Sequence, residues 1–290
     1  MPNMDILEPH REELNRIVYS RHSPHIRRLR LLQSREERDK TGLYLIDGVR
    51  FLSQAVKQNV KIETVFVAPE LLQNSAAQRL VRKLQRDGVP ILRVTPEVYH
   101  SVSQAEEPQG IGAIARQKWE RLDQVRPSRG LCWLAVEAVQ APGNFGTILR
   151  ASEAVGGVGV ILIGAEADPY DPATVWASMG ALFNQRLIRA APQEFAEWKK
   201  RRRCALIGTS PTAAQDYTAV AYPDCSILLI GGEKRGLSDF MLDLCDLRVK
   251  IPMTGSADSL NVAVATGVLL YEIFNQKRGR SSGLSGSASS

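Results

Sequence analysis

Apolar and polar positions along this chain follow two alternating periods. Short, nearly continuous apolar runs, CWLAVEAV, VGVILIG and SILLIGG among them, are separated by stretches in which apolar residues recur every three or four positions. The first pattern suits strands covered on both faces of a parallel sheet, and the second suits amphipathic helices. In order, it predicts a helix from Pro24 to about Lys40, a strand at 43–46, and a helix opened by Asp47-Gly48 with Val49, Leu52 and Val56 turned inward. A strand at 64–67, a helix at 75–85, a strand at 90–94, a short helix at Pro96 and a strand at 110–115 follow. The stretch RQKWERLDQVRPSRG then offers too few apolar positions to build a core. Beyond it the pattern predicts strand 131–139, helix 146–156, strand 158–163, helix 172–182, strand 186–190 and helix 193–203. Strands 204–209 and 226–231, helix 238–244, strand 247–251 and helix 259–274 complete the series. Such alternation predicts an α/β protein. Its parts are a lead-in (1–20), a small α/β domain (21–116), a linker (117–130), a parallel-sheet α/β domain (131–276) and a disordered Gly/Ser-rich tail (277–290).

A length of 290 residues suffices for two cores. No apolar run reaches the roughly 18 residues of a membrane span, so no membrane partner is expected. The N-terminal MPNMDILEPHREEL is charged and lacks an apolar signal core, which predicts a cytoplasmic protein. The four cysteines, Cys132, Cys204, Cys225 and Cys245, lie far apart with no CxxC pair, and read as buried free thiols. A net charge of +6 is compatible with a nucleic-acid partner. Its distribution is more informative: Arg21, Arg27, Arg28, Arg30, Arg35, Arg38 and Lys40 face only Glu36, Glu37 and Asp39 between residues 21 and 40. Two readings stand, a phosphate-contacting face or a solvated helix surface with i,i+4 pairs. The run KKRRR, Lys199 to Arg203, ends a predicted helix, where cations are favourable for structural reasons alone.

In an open α/β sheet ligands bind at the carboxyl ends of the strands. Three loops there have unusual composition. VQAPGNFGTILRASEAVGG places Asn144 just before a helix and Arg150 inside its first two turns; GGEKRGLS sets Glu233 between glycines; IPMTGSADSLN runs into a helix whose first turn carries Ser259 and Asn261. A loop emptying into a helix N-terminus offers free N–H groups and the positive end of a dipole, so it can hold a polar or anionic group. Helix capping by Asp258 or Ser259 is the alternative, as it is for Asn144 and for Glu233 near Gly236, while Arg150 has the alternative of a surface arginine. All four histidines, His10, His22, His25 and His100, precede the second domain, which excludes Ser-His-Asp and Cys-His catalysis within it. His22 and His25 lack partners for a metal, and none is expected. Neither GxGxxG nor GxxxxGK[ST] occurs. Glycine, amide, hydroxyl, one carboxylate and one arginine remain, a set suited to backbone binding and to positioning an oxyanion or phosphate.

At these residues the chain resembles the SpoU family of RNA ribose 2′-O-methyltransferases, within the wider knotted SPOUT class. Three motifs stand in order: Asn144 with Arg150 six residues on, G-x-E-x-x-G-L-S from Gly231 to Ser238, and I-P-M-x-G-x-x-x-S-L-N from Ile251 to Asn261. DPATVWASMGALF is similar to the family's connecting helix with its S-x-G pair, here Ser178 and Gly180. The first domain is similar to the family's N-terminal RNA-binding module, an α/β/α unit related to small ribosomal proteins, with Asp47-Gly48 where that module often has Glu-Gly.

The resemblance implies a deep trefoil knot, with residues from about 205 to 274 threading a loop, against the general rule that chains avoid knots. It implies S-adenosylmethionine bent in that knot, held by Gly231, Gly232, Glu233, Gly236, Ile251, Pro252, Met253, Ser259, Leu260 and Asn261. It places Arg150 at the acceptor's phosphate and hydroxyl, Asn144 as positioner of the acceptor or of Arg150, and Glu233 as their orienting acceptor. Ser259 and Asn261 then hold the acceptor side and the knot loop. Arg27, Arg28, Arg30, Arg35 and Arg38 are the candidate RNA contacts, and a homodimer through the C-terminal domain is implied, its active site completed across the interface. The function implied is methyl transfer to a ribose 2′-hydroxyl of large-subunit (23S) rRNA. A tRNA substrate and a non-catalytic RNA-binding or ribosome-assembly role are the alternatives, the intact Asn144, Arg150, Glu233 and Asn261 speaking against the last.

Overall fold

Two serines decide where the first helices begin. Ser23 accepts a hydrogen bond from Ile26 N and opens α1 (Pro24–Leu31); Ser34 accepts from Glu37 N and opens α2 (Arg35–Thr41), which Gly42 ends at φ 67°. The single helix expected from Pro24 to Lys40 is therefore two, because a serine that caps one helix terminates the previous one. The computed structural model describes residues 17–126, 133–256 and 258–283. The chain divides into two compact units, one within 1–117 with Tyr170–Trp176, and one within 118–169 and 177–290.

The first unit continues with β1 (Leu43–Asp47), α3 (Val49–Lys57), β2 (Ile62–Val67), α4 (Ser75–Arg86), β3 (Ile91–Arg93), α5 (Pro96–His100) and β4 (Ile111–Arg116). Its sheet has the order β1-β4-β2-β3, with β4 antiparallel to both neighbours and β2 parallel to β3. Ile26, Leu29, Leu45, Phe66, Leu92, Tyr99 and Ile114 share its core. Asp47, at the end of β1, accepts hydrogen bonds from Tyr99 Oη at 2.6 Å and from Ser103 Oγ. Burial raises its carboxyl pKa, although these bonds and one from the Gln104 backbone pull the other way. Gly48, at φ 102°, makes the turn into α3 that a side-chain-bearing residue would resist. At the lead-in's end, Val18 bridges Val94 in parallel.

Arg38 is 2% exposed and donates to Leu32 O, Gln33 O and the carboxylate of Asp171 at 3.1 Å. It closes the turn between α1 and α2 from within, so its assignment as an RNA contact is corrected: a buried guanidinium bonded on several sides cannot reach a phosphate.

The second unit holds β5 (Trp133–Glu137), α6 (Pro142–Ala154), β6 (Gly159–Ile163), β7 (Arg186–Ala190), α8 (Pro192–Lys200), β8 (Ala205–Thr209), β9 (Gln215–Asp216), β10 (Ser226–Ile230), α9 (Asp239–Asp243), β11 (Leu247–Lys250) and α10 (Val262–Gly283). A 7-stranded sheet in the order β7-β6-β5-β10-β8-β11-β9 has every pairing parallel. The continuous apolar runs thus became buried parallel strands, as their composition requires.

Several boundaries differ from expectation. α6 starts at Pro142 rather than 146, because proline suits the first helical turn, where an N–H is unsatisfied anyway. Helix 172–182 ends as α7 (Pro172–Ala177), after which Met179 and Gly180 take positive φ and lead into a 3-10 turn, Ala181–Asn184. α10 runs to Gly283, so the tail expected to be disordered from 277 is helical to 283. Residues 284–290 lie outside the described residues, as do 1–16, Cys132 and part of the expected linker, 127–130. The rest of that linker is no tether. Leu122 and Val125 are buried in the second unit's core, and Glu120 bridges Ile188, covering the β7 edge. Cys204, Cys225 and Cys245 are free thiols, the last with its pKa pushed up to about 11 by burial. No helix among the described residues is long and apolar enough to cross a membrane.

Candidate functional site

β5 and β10 are parallel neighbours, with Val136 opposite Ile230, so the loops that follow them emerge side by side at the carboxyl edge of the sheet. The β10 loop is folded tightly. Gly232 and Gly236 exchange backbone hydrogen bonds at 3.1 and 3.0 Å, leaving Glu233, Lys234 and Arg235 as the exposed tip. A Cβ on Gly232 would lie 2.4 Å from Ala138 O, and one on Gly231 would lie 2.1 Å from the Gly236 carbonyl carbon. Glycine is needed at both positions because backbone passes backbone there.

A carboxylate from each strand-end loop then crosses to the other. Glu137, the last residue of β5, accepts from Ser238 N at 2.9 Å and Ser238 Oγ at 2.7 Å. Glu233 accepts from Asn144 Nδ2 at 3.0 Å and from Gln140 N and Ala141 N, both at 3.3 Å. The two backbone donors belong to the approach to α6, so the negative charge sits at that helix's positive end. Partial burial works to raise the Glu233 pKa, but the bonds from Asn144 and the backbone outweigh it, and the net shift is downward.

The third loop joins through Asn261. Its Oδ1 accepts from Ala263 N at 2.9 Å and Val264 N at 3.3 Å, capping α10, while its Nδ2 donates to Asn144 Oδ1 at 3.0 Å. The chain Glu233–Asn144–Asn261 thus ties the loops after β10, β5 and β11 together. Asn144 lies in the first turn of α6 rather than before it, and its side-chain amide donates to one partner and accepts from the other.

Two predicted residues stand apart from this network. Arg150 is exposed on α6, and among the described residues its side chain makes no hydrogen bond or ion pair. Ser259 is exposed ahead of the Asn261 cap rather than in the first turn of α10, and its hydroxyl likewise bonds to nothing described. Around the β11 loop, Met253 and Leu260 leave large apolar side chains exposed, Pro252 is exposed, and Ile251 is half-buried. Among the candidate RNA contacts other than Arg38, Arg27 is exposed and Arg28 half-buried. Arg30 donates to Ser101 Oγ, and Arg35 pairs with Asp39. Among the described residues, no group of three His, Cys, Asp or Glu is placed to hold a metal ion.

Sequence reasoning missed Glu137. The signal was present, a lone carboxylate closing an otherwise apolar strand in CWLAVEAV, since a charge at that place needs a partner.

The geometry can be set beside known proteins. The SpoU rRNA Methylase family pattern matches residues 132–271, and that of the MRM3-like substrate binding domain matches 23–113. The 23S rRNA (uridine(2479)-2′-O)-methyltransferase of Streptomyces viridochromogenes is 32% identical over 254 residues, which cover 85% of this chain and 88% of that protein. The 23S rRNA (guanosine(2553)-2′-O)-methyltransferase of Bacillus subtilis is 28% identical over 242 residues, 83% of this chain and 92% of that protein. The AdoMet-bound rRNA methyltransferase from Sinorhizobium meliloti superposes with a TM-score of 0.82 at 29% identity, covering 90% of this chain and 97% of that one.

Proposed function

The chain belongs to the SpoU rRNA methylase family, and from that premise we infer that it is an S-adenosylmethionine-dependent methyltransferase acting on a ribose 2′-hydroxyl of large-subunit rRNA. The observation that carries the reading is the hydrogen-bonded chain Glu233–Asn144–Asn261 at the carboxyl edge of a parallel sheet, with the exposed cation Arg150 on the helix whose first turn carries Asn144.

The residues fit the cofactor. Backbone groups of Gly231 to Glu233 and Ile251 to Met253 suit the hydrogen-bonding edge of an adenine, and exposed Met253 and Leu260 offer apolar surface beside them. Gly236, Ser259 and Asn261 complete the set that would hold it. When bound, the sulfonium supplies an already activated methyl group. What is left to the protein is alignment of the acceptor and relief of charge as the weakly acidic hydroxyl loses its proton. Arg150 does this electrostatically at the acceptor's phosphate and hydroxyl; a guanidinium offers donors and no acceptor, so it is not the base. Glu233 and Asn144 fix the start of α6, and hence the place of Arg150; Asn261 fixes the loop that carries Ser259 and Leu260.

The same reading includes a homodimer, supported by the apolar Val264 and Tyr271, which sit two turns apart on α10 and are 53% and 48% exposed. It includes the trefoil knot, supported by the path of α10 back against α6 and β10, and a cytoplasmic location beside the RNA substrate. Arg27 and Arg28 remain the RNA contacts proposed for the first unit, with Arg30 and Arg35 at their side.

Transfer of labelled methyl from S-adenosylmethionine to total rRNA and, separately, to tRNA, followed by mapping of ribose methylation, tests the function. Incorporation at one ribose of large-subunit rRNA is expected. Incorporation into tRNA alone would reassign the substrate, and none into either would remove the catalytic reading.

A further inference from the structure

The run Lys199 to Arg203 is not absorbed by the methyltransferase site, and the structure sorts its members. Lys199 is buried, its Nζ 2.8 Å from Asp246, and Arg202 lies over the Trp198 ring at 5.9 Å. Lys200, Arg201 and Arg203 are exposed, and their side chains make no hydrogen bond or ion pair among the described residues. Favourable interaction with the α8 dipole is confined to the last turn, and Lys199 and Lys200 already occupy that turn. Arg201 is the C-cap, its N–H directed at the Trp198 and Lys199 carbonyls, and Arg203 lies beyond the end of the helix, so the dipole, already met by three cations, does not account for Arg203.

Position gives these cations a use. Every strand of the sheet is parallel, and the site loops leave the carboxyl ends of β5, β10 and β11, so Arg201 to Arg203, immediately before β8, stand at the opposite, amino edge. α10 reaches the same edge: it starts at the site and brings Lys277 Nζ to 3.3 Å from the hydroxyl of Ser226, the first residue of β10 and the partner of Ala205. Arg278 follows it, exposed. Of the carboxylates nearby, Asp246 is engaged by Lys199 and Leu206 N, while Glu197 and Asp224 are outnumbered by Lys200, Arg201, Arg203, Lys277 and Arg278.

We propose that this amino edge is a second RNA-docking surface, which binds the phosphate backbone of the substrate beyond the target nucleotide. The proposal rests on the RNA-methyltransferase reading above. From Val262 to Lys277 a helix rises about 22 Å, so an RNA that fills the site and touches this edge must extend at least that far. Long rRNA meets that condition, and a minimal hairpin around the acceptor does not. Lys200, Arg201 and Arg203, exposed and with no ion pair among the described residues, suit an extended polyanion bound by charge, with no sequence preference.

The test uses the full chain and the triple variant Lys200→Gln/Arg201→Gln/Arg203→Gln, with a long fragment of 23S rRNA and the shortest hairpin of it that still accepts methyl. Each phosphate contact adds about 0.7–0.9 to the slope of log affinity against log salt. Three contacts therefore make the wild-type loss between about 50 and about 200 mM salt roughly 20- to 40-fold larger than that of the variant. That difference is expected on the long fragment and absent on the hairpin, with equal methyl-transfer rates on saturating hairpin. Calorimetric cofactor titration checks that the variant is folded. The double variant Lys200→Gln/Arg201→Gln, confined to the end of α8, should show about two-thirds of the slope change. Coincident salt dependences on the long fragment, with the wild type still methylating it, would overturn this inference alone. A wild type that neither binds nor methylates that fragment would overturn it together with the functional reading.

Discussion

Replacing Glu233 separates two roles that a carboxylate in an active-site loop can have. Its Oε1 receives Asn144 Nδ2 at 3.0 Å and Ala141 N at 3.3 Å, and its Oε2 receives Gln140 N at 3.3 Å. In Glu233→Gln the amide oxygen can take the Oε1 place and keep two bonds, while the amide nitrogen is turned against the Gln140 N–H. In Glu233→Ala all three bonds go, and with them the negative charge at the start of α6. Bonds to ionised groups are worth about 1.5–3 kcal/mol when buried, but this carboxylate is largely exposed and two of its bonds are long, so about 0.5 kcal/mol each is the fitting scale. With a similar helix-terminus contribution, the alanine variant loses about 2 kcal/mol of loop order and the glutamine variant about 1 kcal/mol. If that order is what aligns Arg150, single-turnover methyl transfer from tritiated S-adenosylmethionine falls about 30-fold in the first and about 5-fold in the second. The folded carboxyl pKa is depressed, so the contribution is full above the unfolded value of 4.5 and is lost as pH falls through the lower folded value. The wild-type to alanine rate ratio should therefore be flat from about pH 6 to 9. A glutamine variant as slow as alanine would show that the charge itself takes part in the chemistry. An alanine variant within about twofold of wild type would refute the positioning role.

Three further outcomes are expected. Arg150→Ala should lower the single-turnover rate by about 100- to 1000-fold, the scale of losing one electrostatic stabiliser, with cofactor affinity by calorimetry unchanged; a near-normal rate removes Arg150 from the mechanism. Arg38→Ala leaves Asp171, Leu32 O and Gln33 O without their donor and should destabilise the first unit by about 2–4 kcal/mol in urea unfolding, with no change in RNA affinity where the protein is folded. Weaker RNA binding without loss of stability would restore it as a contact. Tyr271→Asp puts a charge on the exposed apolar stripe of α10 and should yield a monomer by sedimentation; an intact dimer would place the interface elsewhere.

What was legible in the sequence and what was not follow from the range of the interactions. Strand composition reports burial on both faces, a local property, and the parallel sheet was readable from runs such as SILLIGG. Helix ends were misplaced wherever one side chain decides them: Ser34 splits α1 from α2, Pro142 draws α6 back over Asn144, and Asn261 sets the start of α10. The supposed linker shows the same limit. Leu122 and Val125 are too few to suggest a core of their own, yet they complete one built by residues far along the chain. The motif residues were visible one by one, but their roles depend on pairings across the fold, 89 residues apart for Asn144 and Glu233 and 117 for Asn261 and Asn144.

That difference bears on the chemistry. Read singly, Glu233 is a carboxylate between glycines, and Asn144 a positioner of the acceptor or of Arg150. Joined, the carboxylate is occupied by three donors with its pKa drawn down, and the Asn144 amide is shared between two partners. A carboxylate so held is a weak base near neutral pH, and the second unit contains no histidine to replace it. Arg150, at a fixed motif position, is a charged group that makes no hydrogen bond or ion pair among the described residues, and it cannot take a proton. Alignment of a hydroxyl with an already activated methyl group, under the field of a fixed guanidinium, is the catalysis these residues can supply.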